Sequence, residues 1–218
     1  MNTLRVAVLS TAIIATPVFS TAGPAGADPP PTEVITTVAV GPSGKPINGY
    51  REAPQQGTGT GTVDCTEPSP SAVADNVYSC SPSAAGANTC WPSTPGSMLC
   101  VNGPWDQQLH RVTYRGQLPP VQHPATPEPF ALVLDDGTRC LLRNGGSWSG
   151  RFDGYQGAYG CGDSGGSNPA VLCLPGQACI DRSAPVWTVK VGELRGVAIP
   201  VPPPQTHAVT SAWVAGSP

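Results

Sequence analysis

Short stretches in which apolar and polar residues alternate, separated by Gly, Pro and Asp, dominate the central part of the chain. A period of two predicts half-buried β-strands, and strands at short intervals favour a small antiparallel sheet or barrel. The clearest signal is FALVLDDGTRCLLR, which predicts strands over 130–134 and 138–143 joined by a tight Asp-Asp-Gly turn. Similar patterns predict strands in HRVTYRG, from residue 110, and in PVWTVKVG, over 185–191.

Two further stretches complete the predicted secondary structure. CWPSTPGSMLCV predicts two short strands around a Pro95-Gly96 turn. SPSAVADNVYSC is the single helical candidate, because Ser69 suits an N-cap and Pro70 suits the first helical position. We therefore predict a mainly β fold, a small antiparallel sheet or barrel with one short helix.

The N-terminal residues have the features of an export signal. Arg5 precedes an apolar run that is too short to span a bilayer, and Ala25-Gly26-Ala27 is a small-residue cleavage site. This pattern predicts a signal peptide over 1–27 and a secreted protein, extracellular or in the cell wall. No later apolar run reaches spanning length, so we expect no membrane association after cleavage.

The segments on either side of the predicted β domain are rich in Pro. Residues 28–62 combine Pro, Gly and Thr and predict a linker, with one strand in EVITTVAV. Residues 202–218 predict a Pro-rich tail that stays out of the central sheet, with Trp213 as its anchor. The disulfide-stabilised β domain is accordingly expected over 63–201.

Eight cysteines lie in the predicted mature chain, and their even number in an exported protein implies up to four disulfides. Each would stabilise the fold by about 2–4 kcal/mol. Spacing alone leaves the pairing open. However, Cys173 and Cys179 flank the turn LPGQA, and Cys90 and Cys100 flank the predicted hairpin turn. Local pairing would then give four bridges: Cys65–Cys80, Cys90–Cys100, Cys140–Cys161 and Cys173–Cys179.

The charge of the chain argues against several classes of partner. Charged residues are only 11% of the sequence and the formal net charge is −3. Nucleic acids require a basic patch, and anionic membranes attract basic surfaces, so neither is an expected partner. The three histidines show no ligand spacing and no Cys-x-x-Cys pair occurs, so we expect no metal and no cofactor.

The pentapeptide Gly-Asp-Ser-Gly-Gly around Ser164 resembles the nucleophile motif of chymotrypsin-like serine proteases. In that family a histidine and an aspartate precede the serine in the chain. Here His110, then Asp135 or Asp136, and then Ser164 stand in this order, and His123 is the other candidate base. The histidine context of the family, Ala-x-His-Cys, is missing from the sequence. The main interpretation is therefore a polar loop next to Cys161, and a serine hydrolase is the alternative.

An aromatic segment, NGGSWSGRFDGYQGAYGC, interleaves Gly with Trp148, Phe152, Tyr155 and Tyr159. Exposed aromatic rings stack on sugars or on partner proteins. The same rings also suit a small core that has few large residues. Both interpretations remain open, and an exposed patch over 148–159 would favour binding.

Two groups of charged residues surround the predicted hairpin. The first group is three arginines that alternate with apolar residues: Arg139, Arg143 and Arg151. This pattern predicts a solvated sheet face. If the three side chains share one face, they could instead bind an anionic group. The adjacent Asp135 and Asp136 are typical of a turn, because neighbouring strand residues point to opposite faces and do not form a glycosidase dyad.

Most of the predicted domain resembles an uncharacterised group of exported actinobacterial, especially mycobacterial, proteins. The resemblance rests on strings that occur in this order: VYSC, TCW, GPWDQQLHR, LVLDDGTRCLLRNGGSW, GAYGC and RSAPVWTV. It implies export and a shared fold and supplies no catalytic residue. We therefore expect a secreted or envelope-associated, non-catalytic protein, with a binding module for an envelope glycan or a host protein as the leading hypothesis.

Overall fold

The computed structural model describes residues 29–54, 62–82, 86–143, 145, 147–162 and 168–218, so the predicted signal peptide lies outside the described residues. Fourteen strands occur in the described part of the chain and no α-helix. Their bounds, in chain order, are β1 Glu33–Thr37, β2 Arg51–Glu52, β3 Asp64–Pro68, β4 Tyr78–Ser81, β5 Cys90–Pro92, β6 Ser97–Val101, β7 Gln108–Thr113, β8 Ala131–Leu134, β9 Arg139–Leu142, β10 Gln156–Cys161, β11 Ala170–Cys173, β12 Ile180–Asp181, β13 Trp187–Gly192 and β14 Gln205–Ala215. The expectation of a mainly β fold is confirmed.

Six strands close into an up-and-down antiparallel barrel, which we call the C-terminal barrel. Strands β8, β9, β10, β11, β13 and β14 each pair with the next, and β14 returns to pair with β8. Its interior is apolar, since strand residues on one face share the barrel core. That core includes Leu132, Leu134, Tyr159, Val171 and Val189.

A second sheet forms the N-terminal half of the structure. Strands β3 to β7 pair in chain order, and β2 runs parallel to β7 at the edge. The first and last strands approach each other where the amide of Val63 donates to the carbonyl of Thr113 at 2.8 Å, which partly closes the sheet. Its interior holds Met98, Val112 and Tyr78 beside two disulfides.

The two sheets share a third core, which fixes them against each other. Trp91, Leu99 and Leu109 from the N-terminal sheet contact Phe130 and Ala131 of the C-terminal barrel. The indole of Trp91 is buried and donates to the carbonyl of Gly216 at 2.7 Å, so the chain end is tied to the N-terminal sheet. Trp148 of the predicted aromatic segment lines the cleft between the two sheets.

Both flanking segments take part in the fold, contrary to the sequence prediction. Strand β14 is the longest strand, pairs with β1, β8 and β13, and places Trp213 and Ala215 against the shared core. The expectation of a tail over 202–218 outside the central sheet is therefore wrong, because no proline lies between Pro204 and Pro218 and the amides of β14 are available to pair. The expected linker over 28–62 supplies β1 and β2 and the buried Ala39 and Val40.

The predicted helix near Ser69 is also wrong. The carbonyl of Ser71 accepts from the amide of Ala215, and the amide of Val73 donates to the carbonyl of Ala215. The amide of Ser69 pairs with the carbonyl of Val77. Because these backbone groups bond to distant strands and turns, they are not available for the i to i−4 bonds of a helix.

All four local disulfides are present, which confirms the pairing expected from the turns. Three of them join strands that are neighbours in a sheet, and the fourth closes the short loop between β11 and β12. The predicted hairpins at Pro95-Gly96 and at the Asp-Asp-Gly turn are also observed, as β5–β6 and β8–β9.

Candidate functional site

The aromatic segment divides between the core and the surface. Tyr159 is fully buried inside the C-terminal barrel, and its hydroxyl donates to the carbonyl of Pro129 at 2.9 Å. Burial raises the pKa of Tyr159 far above its ordinary value. Tyr159 is therefore not part of an exposed aromatic patch with Phe152. Phe152 is 52% exposed, while Trp148 and Tyr155 are half-buried on the outside of the barrel.

Trp148 is held against the outer face of the barrel. Its ring packs on a small cluster formed by Ala170, Leu172 and Leu194. It also lies directly over Gly157, where a Cβ would come within 2.5 Å of the ring atom Cε3. Only a glycine leaves room for this contact, so the sequence at Gly157 sets the position of the indole.

Arg143 supplies a cation beside this ring. Its guanidinium carbon lies 5.0 Å from the Trp148 ring centroid, within the range of a cation–π contact. The backbone carbonyl of Arg143 accepts a hydrogen bond from the side-chain amide of Asn88 at 3.2 Å. Asn88 belongs to the N-terminal sheet, so this bond crosses between the two halves of the structure.

Together these residues form a cleft of about 240 Å³ between the N-terminal sheet and the C-terminal barrel. Its floor is apolar, with Phe130 and Leu141, and Trp148 forms one wall. Polar groups converge on it from both halves: Asn88 and Asn102 from one and Arg143 from the other. We call this the inter-sheet cleft. An aromatic wall with a few placed polar groups is typical of small-ligand sites.

Tyr155 forms a second aromatic position on the same barrel face. Lys190 donates from Nζ to the Tyr155 hydroxyl at 3.2 Å, and the same nitrogen lies 5.7 Å from the ring centroid. The ring packs on the cluster that also supports Trp148. The two half-buried rings are therefore fixed to one rigid face, each with a cation beside it.

Arg151 is a structural residue and does not share a face with the other arginines. Its side chain is buried and forms a two-point contact with Asp153, with Nε–Oδ1 at 2.9 Å and Nη2–Oδ2 at 2.7 Å. It also donates to the carbonyls of Glu193 and Pro202. The possibility of one anion-binding face made of Arg139, Arg143 and Arg151 is therefore excluded.

Of the residues in the hydrolase alternative, His110 and Asp135 lie in different halves of the structure. Ser164 lies outside the described residues. His110 lies in β7 of the N-terminal sheet, and both its ring nitrogens are buried. Asp135 instead pairs with His207, whose Nδ1 lies 2.9 Å from Oδ1. This hydrogen bond lowers the pKa of Asp135. The sequence did not indicate this pairing, because β14 was not predicted as a strand.

Two other features concern metal and histidine chemistry. Ligand atoms of Asp135, Asp136 and His207 lie within 4.8 Å of one another at the surface. Hydrogen bonds from the backbone and side chain of Thr138 lower the pKa of Asp136, as expected of a turn aspartate. His123 pairs with Asp75 at 2.7 Å, also at the surface.

No protein family, no curated protein and no solved structure matches the chain in comparisons with known proteins. Among the described residues, no helix is long and apolar enough to cross a bilayer. The inter-sheet cleft is the candidate site that the described geometry supports.

Proposed function

We propose that this protein is an exported, non-catalytic binding module that takes a sugar of an envelope glycan in the inter-sheet cleft. The observation that carries this proposal is the position of Trp148, whose ring is braced over Gly157 and forms one wall of the cleft. The apolar face of a pyranose stacks well on a flat, rigid ring, because neither partner loses conformational freedom on contact.

The polar groups of the cleft match the rest of a sugar. A saccharide presents hydroxyl groups around its edge, and these require partners that both donate and accept. Asn88 and Asn102 offer amide groups of this kind, and Arg143 places a positive charge beside the ring. The volume of about 240 Å³ suits one sugar ring with the rest of a chain outside. A host glycoprotein would present the same chemistry.

The location outside the cell is part of the same proposal. A signal segment over 1–27 would deliver the chain to an oxidising compartment, where the four disulfides would form. Three of these bridges join neighbouring strands, one in the C-terminal barrel and two in the N-terminal sheet. They stabilise both halves of the structure that border the cleft, mainly by restricting the unfolded chain.

The experiment is calorimetric titration of the oxidised protein with tetrasaccharides of glucose, N-acetylglucosamine, mannose and arabinose. We expect measurable binding of at least one of them, and a loss of tenfold or more in affinity, about 1.4 kcal/mol, for Trp148→Ala. Phe152→Ala is the matched control, because this aromatic residue of the same segment lies outside the cleft. Equal affinity for Trp148→Ala and the unchanged protein would refute the proposal.

Serine hydrolysis at Ser164 is the second candidate function, and one structural observation supports it. Strand β10 ends at Cys161 and β11 begins at Ala170, on the barrel end that also carries the pair of Asp135 and His207. The amide of Gly162 donates to the carbonyl of Arg139 at 2.9 Å, close to that pair in the chain. In this alternative, His207 replaces His110 as the base.

Labelling with a fluorophosphonate separates the two candidates. The binding proposal predicts no labelling of the oxidised protein. Labelling that is lost in both Ser164→Ala and His207→Ala, and kept in His110→Ala, would identify a hydrolase and contradict the non-catalytic proposal.

A further inference from the structure

A larger cavity, separate from the inter-sheet cleft, lies at the opposite end of the C-terminal barrel from the Asp135–Asp136 turn. Its volume is about 650 Å³, within the range of about 300–1,000 Å³ that is usual for small-ligand sites. It is formed by the residues that precede β8 and by the segment from Gln177 to Ser183, which includes β12. We call it the barrel-mouth cavity, and barrel mouths are frequent ligand sites.

The floor and one wall of this cavity are rigid. Tyr159 lies at the bottom, where its hydroxyl bond to Pro129 fixes the ring, and Ile180 lies beside it. The disulfide between Cys173 and Cys179 closes the loop that forms the wall. A ligand would therefore meet an apolar floor that does not need to be ordered on binding.

Charges of both signs border the cavity. Glu128 and Asp181 supply carboxylates and Arg182 supplies a guanidinium. In the part of the chain that the structure describes, neither Glu128 nor Asp181 forms a salt bridge with Arg182. Glu128 and Arg182 both line the cavity together with Tyr159, and their charges act in opposite directions on the pKa of Tyr159.

Arg182 is already held in place for a ligand. Its Nη2 donates to the carbonyl of Pro127 at 2.9 Å, and its guanidinium carbon lies 4.5 Å from the ring centroid of Trp187. A guanidinium carries five N–H groups, so this single bond leaves donors for a carboxylate. Asp181 is fixed in a similar way, because its Oδ1 accepts from the amide of Ser183 at 2.9 Å.

We propose that the barrel-mouth cavity binds a zwitterionic amino acid or short peptide. Its carboxylate pairs with Arg182, its ammonium group lies near Glu128 and Asp181, and its side chain contacts Ile180 on the floor. Opposite charges that border one cavity without pairing match the two charges of such a ligand. A neutral ligand would leave them unused, and a ligand with a single charge would satisfy only one side of the cavity.

The test uses the dipeptide alanyl-alanine and methyl NMR of isoleucine-labelled, oxidised protein. We expect a saturable shift of the Ile180 methyl signal, with no shift of Ile47, which lies in a turn before β2 and does not border this cavity. N-acetylation or C-amidation of the dipeptide removes one charge at a time, and each is expected to weaken binding about tenfold or more. These capped probes test the charges without altering the protein.

Variants of the protein remove the charges that are expected to pair with the two ends of the dipeptide. Arg182→Met should abolish the difference between the free and the amidated dipeptide, and Glu128→Gln should reduce the difference between the free and the acetylated one. Trp148→Ala should leave all of these affinities unchanged, because it belongs to the other cavity. An unmoved Ile180 signal at saturating dipeptide, or equal binding of a dipeptide capped at both ends, would overturn the proposal.

Discussion

Gly157→Ala is the substitution that most directly tests how the sequence builds the inter-sheet cleft. The added methyl carbon would lie 2.5 Å from Cε3 and 2.8 Å from Cζ3 of Trp148, and 2.8 Å from Cδ1 of Leu194. These separations are too short for carbon atoms, so the Trp148 ring or the β10 backbone must move. The backbone of Gly157 is not in the left-handed region, so the effect is steric and not conformational.

The expected cost follows from two opposing effects. Inserting a methyl group into a well-packed site typically costs about 1–3 kcal/mol. Replacing Gly by Ala at a compatible backbone position returns about 0.4–1 kcal/mol by restricting the unfolded chain. We therefore expect a net destabilisation of about 1–2 kcal/mol, which lowers Tm by about 2–8 °C for a chain of this size.

The assay is urea unfolding of four proteins: unchanged, Gly157→Ala, Trp148→Ala and the double variant. If the clash with Trp148 causes the loss of stability, Gly157→Ala should destabilise the protein less when the indole is absent. The coupling free energy between the two substitutions should then be at least about 0.5 kcal/mol. The residual cost in the double variant reports the contact with Leu194. Gly157→Ala should also weaken sugar binding, because the displaced ring no longer lines the cleft.

Two results would refute this reasoning. An equal cost of Gly157→Ala with and without the Trp148 indole would show that the ring does not depend on Gly157. Unchanged sugar affinity in a folded Gly157→Ala protein would show that the position of the ring does not matter for the ligand.

Three other predictions concern the scaffold. Arg151→Met should cost about 2–4 kcal/mol in urea unfolding, because it leaves Asp153 and the carbonyls of Glu193 and Pro202 without their donor. The hydrogen bond from Arg151 lowers the pKa of Asp153 below its ordinary value of 3.8. The pair therefore stabilises the fold above pH 3.8, and this contribution is lost as the pH falls and Asp153 is protonated. If the stability of Arg151→Met falls as steeply with acid as that of the unchanged protein, this prediction is contradicted. Tyr159→Phe should cost about 1–3 kcal/mol by leaving the buried Pro129 carbonyl unpaired, and calorimetry would check it; a Tm equal to that of the unchanged protein would contradict it. Replacing both Cys140 and Cys161 by Ala should cost about 3 kcal/mol in urea unfolding, and an unchanged midpoint would contradict this.

Local turn chemistry explains what could be predicted from the sequence. The Asp-Asp-Gly and Pro-Gly turns fix their hairpins within a few residues, and the disulfides then join strands that such turns bring side by side. No long-range information was needed for these elements, so they agree with the structure.

The missed strand β14 shows where local reasoning ends. Its Pro-rich approach suggested a tail, yet the strand is held by partners far away in the chain, in β1, β8 and β13. The same applies to the wrong helix near Ser69, whose backbone bonds to Ala215. No pattern in the nearby sequence predicts either of these long-range pairings.

The aromatic segment was hard to interpret for a more specific reason. Tyr155, Gly157 and Tyr159 are spaced by two, so regular alternation would place all three on one face. The pairing of β10 with β11 shifts between Gly157 and Tyr159, and this bulge turns Tyr159 into the barrel while Tyr155 stays outside. The polar groups of Asn88 and Asn102 join Trp148 only through packing of the two halves, which no local pattern predicts.

The most direct measurement is the chemical shift of the Trp148 indole N–H in oxidised, nitrogen-labelled protein as tetrasaccharides are added. We expect that at least one sugar shifts this signal saturably, and that Asn88→Ala weakens the effect while Phe152→Ala does not. If none of the sugars shifts the Trp148 signal, or if the shift survives without change in Asn88→Ala, the inter-sheet cleft is not the sugar site that we propose.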